Sequence, residues 1–106
     1  MPSLAERRKM HSELDNMNGK AEEMVVKIMA HLRKVEGINR VMKPHVDNIK
    51  TVKDLAQKVK KGKDIAVPPD DHKKILDELD KAAKLEVQMF KYLTQAEMIQ
   101  KKLMKS

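Results

Sequence analysis

The groups in this chain that could move a proton, hold a metal or bind an anion are 4 His, 16 Asp and Glu, and 23 Lys and Arg; there is no cysteine. Thiolate metal sites, disulfides and cysteine nucleophiles are therefore excluded together. His31 and His45 stand fourteen residues apart, about 21 Å along a straight helix, too far to share an ion. No acid lies three or four positions from His31, His45 or His72, the spacing at which helical side chains meet. His31 and His45 thus read as boundary histidines that hydrogen-bond at a helix interface. A second reading is a pH-sensitive association, because an interfacial imidazole gains charge near about pH 6.5. No metal or cofactor is expected.

Serine occurs only at 3, 12 and 106, and the three glycines stand alone at 19, 37 and 62. Neither a serine nucleophile nor a phosphate-cradling loop has a scaffold, so the chain is not expected to be an enzyme. Lys58, Lys60, Lys61 and Lys63 form the densest basic cluster and a candidate anion patch. A net charge of +7 permits binding to nucleic acid, anionic membrane or an acidic partner and specifies none of them. Nucleic-acid binding would be backbone-directed, since one Phe, one Tyr and no Trp leave little to stack on bases.

The elements that must position these groups are helices. From Met10 to Val59, steps of four and three land on Met10, Leu14, Met17, Ala21, Met24, Ile28, His31, Val35, Ile38, Met42, His45, Ile49, Val52, Ala56 and Val59. This seven-residue period is that of helices packed along a seam. A second column joins it at Val25, Leu32 and Val46, a face wide enough for two neighbours. Ser3 with Glu6 opens the first helix as a capping box, and Asn16–Gly19 reads as a weak point within it. The helix covers about 3–43 and is kinked or broken near Gly37–Pro44, with a tight reversal there as the rival reading.

A helix over about 44–61 follows, with Pro44 in its first turn, lysines in its last and Gly62 beyond. A proline-containing turn covers 62–69. The last helix, about 69–104, carries Ile75, Leu79, Ala82, Glu86, Met89, Leu93, Ala96, Gln100 and Leu103, widened by Leu76, Ala83, Phe90 and Met104. Glu86 and Gln100, polar groups at seam positions, are expected to restrict register together with His31 and His45.

The expected fold is all-α: one domain over 1–106, a long helical hairpin or an antiparallel bundle of three, possibly four, helices with coiled-coil-like heptad packing. No stretch approaches the 18 or so apolar residues of a membrane span, and a cytoplasmic location is expected. An unbroken first arm would overhang the last helix and bare its stripe, which a partner would have to cover. Met10, Leu14, Met17, Met24, Val25, Ile28 and Leu32 are the candidate interface, for a protein partner or a homo-oligomer. Several are methionines, which repack around varied surfaces. The layout, a long helix, a proline-containing turn and a long C-terminal helix without cysteine, is similar to that of secretion needle, rod and flagellar rod-type subunits, in architecture alone.

Overall fold

The computed structural model describes residues 2–62 and 64–105, and among them the only regular structure is helical. Helix α1 covers Leu4–Ile38; a 3-10 turn at Arg40–Met42 leads into the short α2, Lys43–Asp47; α3 covers Val52–Lys61 and α4 Pro69–Lys105. The first helix begins where its capping residue stands, the Glu6 N–H donating to Ser3 Oγ at 3.2 Å. It runs unbroken through Gly19. Ala21 and Met24 are buried just beyond that glycine, and burial of this kind offsets the ~1 kcal/mol that a helical glycine costs.

The first arm ends at Asn39, five residues before the proline. Asn39 is extended, and its side chain accepts from the Val41 N–H at 3.0 Å while its Nδ2 donates to Asp71 of α4 at 3.2 Å. One side chain therefore starts the next turn and ties the corner to α4. Pro44 lies in the first turn of α2, where its missing N–H costs nothing.

The expected single helix over 44–61 is two helices. Asn48 closes α2, its Nδ2 donating to the Pro44 carbonyl at 2.9 Å, and Thr51 opens α3 by accepting from the Asp54 N–H at 3.1 Å. Two side chains that bond to nearby backbone end one helix and begin another within four residues. Gly62, at φ 66°, supplies the left-handed residue that stops α3.

The two long helices are antiparallel. His31 meets Glu78 and Asn39 meets Asp71, so α1 descends as α4 climbs. At 1.5 Å per residue each is over about 50 Å long, which accounts for the 60 × 20 × 18 Å envelope. Helix α3 packs along α4 between about residues 72 and 86, its start held at Glu86 and its end at His72. The core sits at this end: Ile28, Leu32 and Val35 of α1, Met42 and Val46, four residues of α3, Ile65, and Ile75, Leu79 and Ala82 of α4. Among the described residues, the lengths of α1 and α4 beyond Glu86 pack on each other alone.

Two seam positions depart from expectation. Gln100 is exposed, as is Leu93, while Tyr92 and Ile99 are half-buried in their place. At Met89 the buried stripe takes two successive steps of three, from Glu86 to Met89 and on to Tyr92, rotating the seam by one residue. The rotation suits Tyr92, whose ring carries the Lys20 ammonium 5.5 Å from its centre. Gln100 therefore does not restrict register within the chain.

Candidate functional site

Both long helices carry a line of residues at seven-residue spacing on the flank where α3 lies. On α4 the line is Leu76, Ala83, Phe90, Glu97 and Met104; on α1 it is Leu32, Val25, Asn18, His11 and Leu4. Where α3 and the preceding segment cover it, Leu32 is buried and Leu76 and Ala83 pack against the core. One heptad further on the same lines are bare: Val25 is 44% and Phe90 47% exposed. Nearer the tip, Leu4 is 66% and Met104 79% exposed, and Val87, beside Phe90, is 69% exposed. The apolar seat of α3 thus continues past its first residue, uncovered by any described residue.

Of the seven candidate interface residues, Met24, Ile28 and Leu32 are buried within the chain and Met10, Leu14 and Met17 are half-buried along the α1/α4 seam. Val25 alone is exposed. The bare surface is instead centred on Val25, Val87 and Phe90 with Leu4 and Met104 toward the tip. Its sequence signal was the second apolar column, which widens each helix beyond what one neighbour can cover.

Glu86 has a defined task. It is buried, and its Oε2 accepts the Val52 N–H at 2.8 Å. Val52 is the first residue of α3, whose free N–H groups and dipole favour a negative charge. Glu86 therefore fixes where α3 begins on α4, and with it where the bare face starts.

His31 lies on the opposite flank. Its Nδ1 is 2.6 Å from Glu78 Oε2, and because a carboxylate only accepts, that nitrogen carries the proton. The bond from His31 holds the Glu78 carboxyl below its ordinary range, aided by the nearby Lys81 and Lys34 and opposed by partial burial. His72 similarly donates through Nε2 to the Val59 carbonyl at 2.8 Å, closing the end of α3 on α4. His11 is exposed, one turn before the equally exposed Asp15.

The basic cluster is divided. Lys58 and Lys61 line a cavity of about 560 Å³ between α2 and α3 with Lys50, His45 and Asp54. Lys60 points the other way, 3.9 Å from Asp80 on α4, and Lys63 lies outside the described residues. His45, half-buried at this cavity, is far from His31 in environment as well as in sequence. Among the described residues no three His, Asp or Glu side chains are grouped to hold a metal ion, and no helix is long and apolar enough to cross a membrane. The chain matches no protein-family model, no curated protein and no solved structure.

Proposed function

We propose that this protein is a cytoplasmic, non-enzymatic helical module that works by association, adding helices to the bare α1/α4 face so that the free arm is completed as a coiled-coil-like bundle. One observation carries the reading. The heptad lines that are buried alongside α3 run on, still apolar at Val25 and Phe90 with Val87 beside them, where no described residue covers them. Helix packing against such a face is driven by removal of apolar surface from water, about 25 cal/mol per Å². It is accordingly insensitive to salt.

The test is binding of an environment-sensitive apolar dye to dilute protein, compared with Val87→Lys and Phe90→Lys. The reading expects dye to bind the parent chain and the signal to fall in both variants. Equal signals, or no signal in a parent chain of single-chain mass, would remove the face as the site.

A second reading rests on Lys50, Lys58 and Lys61 converging on one cavity with His45. It makes the protein a binder of anions, through the phosphates of nucleic acid or of a membrane surface. Such binding would weaken on the order of a hundredfold or more between about 50 and 200 mM salt. Fluorescence anisotropy with a labelled single strand across that range separates it from helix packing.

A further inference from the structure

We infer that the occupant of the bare face is a second copy of this chain, lying antiparallel to the first across a two-fold axis that passes near Glu97. The inference rests on the association reading above and names its partner. It follows from the order of residues along the two bare lines. On α1 they read Val25, Asn18, His11, Leu4, apolar at both ends and polar between; on α4 they read Phe90, Glu97, Met104, with the same alternation. The two lines flank one face: on α1, the His31 bond to Glu78 lies on the side away from α3 and leaves the Leu32 line toward it, and on α4 the Phe90 line adjoins Glu86 and His72, which hold α3.

A two-fold axis perpendicular to the helices reverses each line onto itself. Val25 of one chain then meets Leu4 of the other, Asn18 meets His11, and Phe90 with Val87 meets Met104. The centres of the two lines agree. The midpoint of Val25 and Leu4 falls between residues 14 and 15, and the pairing of His31 with Glu78 and Asn39 with Asp71 puts that level of α1 beside residue 95 of α4, give or take half a residue. The midpoint of the α4 line is Glu97, about 2–4 Å from that level. A single axis therefore serves both helices.

Charge at the axis is neutralised locally. Glu97 is bridged to Lys101 at 3.4 Å, so two ion pairs, not two bare carboxylates, come together. The alternative, with the axis along the helices, superimposes the two α3 helices on the same face and is closed by their bulk. The antiparallel arrangement puts them at opposite ends. The free arm from Glu86 to Lys105 is about 28 Å long, and two helices side by side, each about 10 Å across, make it about 20 Å wide, so two such faces cover on the order of 1,100 Å². That meets the roughly 1,000 Å² expected of a specific interface. The same patch serves both chains, as closed two-fold symmetry requires.

The absence of cysteine makes the test free of background. Glu97→Cys, Phe90→Cys and Met104→Cys chains are purified and treated with an oxidant or a short bismaleimide. Glu97→Cys is expected to link to itself and Phe90→Cys, whose copies stand about 21 Å apart, is not. A mixture of Phe90→Cys with Met104→Cys links as a heterodimer. Light scattering of the parent chain gives twice the monomer mass, with the dissociation constant raised more than about tenfold by Phe90→Lys.

Self-linking of Phe90→Cys in preference to Glu97→Cys would overturn the antiparallel arrangement. A single-chain mass without cross-links would overturn the second copy altogether. In that event the apolar dye distinguishes the two levels: dye bound by the parent and lost in Phe90→Lys leaves association with a different partner standing, and no dye removes both.

Discussion

Replacing Glu86 by alanine should release α3 from α4. The carboxylate accepts the Val52 N–H in a buried position, and a hydrogen bond to a charged group contributes about 1.5–3 kcal/mol. Its charge at the first turn of α3 adds about 0.3–1 kcal/mol through the helix dipole. Removing a buried carboxylate also removes its desolvation cost, so the net loss expected for Glu86→Ala is about 2 kcal/mol. Glu86→Gln keeps an acceptor but not the charge, and should lose about 1 kcal/mol. With a urea dependence near 1.5 kcal/mol per M, the alanine midpoint falls by roughly 1.3 M. Limited proteolysis should then cut between Asn48 and Thr51 faster than in the parent. An alanine variant within about 0.5 kcal/mol of the parent, or a glutamine variant as damaged as alanine, would refute the assignment of Glu86 as the anchor of α3.

Other expectations follow from the same geometry. The Glu78 carboxyl is held below its usual 4.5 by the bond from His31, so its contribution is complete above that value and is lost as pH falls through the lower, folded value; melting temperatures from pH 6 to pH 3 should fall less steeply in Glu78→Gln. Asn39→Ala removes both the turn cap and the bond to Asp71 and should cost about 1–2 kcal/mol in urea unfolding. Alanine meets nothing within 4 Å at Gly19 or at Gly62, yet the two should differ in sign: Gly19→Ala stabilises by up to about 1 kcal/mol as a helical residue, and Gly62→Ala destabilises by about 1–2 kcal/mol because its φ is positive.

What was legible in the sequence is what local chemistry dictates. The paired prolines at 68 and 69 and the acids at 70 and 71 mark the start of α4, and its period gives its inner face. Pro44 was the most visible interruption of the first arm, but the chain turns at Asn39, whose side chain makes its cap only once Asp71 is opposite. Thr51 with Asp54 is a capping pattern readable in the sequence, and with Asn48 it accounts for the break that periodicity alone runs across. Glu78 could not be linked to His31 by spacing, since 47 residues separate them; their pairing is set by the register of α1 on α4. Gln100 was placed inward by strict continuation of a seven-residue period, and Tyr92 with Ile99 turned that seam by one position. The wide apolar columns were visible, but which part of them α3 would cover depends on Glu86, a contact between distant segments.

The most direct test of the account is the mass of the parent chain by light scattering over a concentration series, at 150 and 500 mM salt, beside Phe90→Lys. Antiparallel pairing through the bare face gives a species of two 12.2 kDa chains that persists at the higher salt and dissociates in the variant. A parent chain of monomer mass at every concentration and both salts would contradict it.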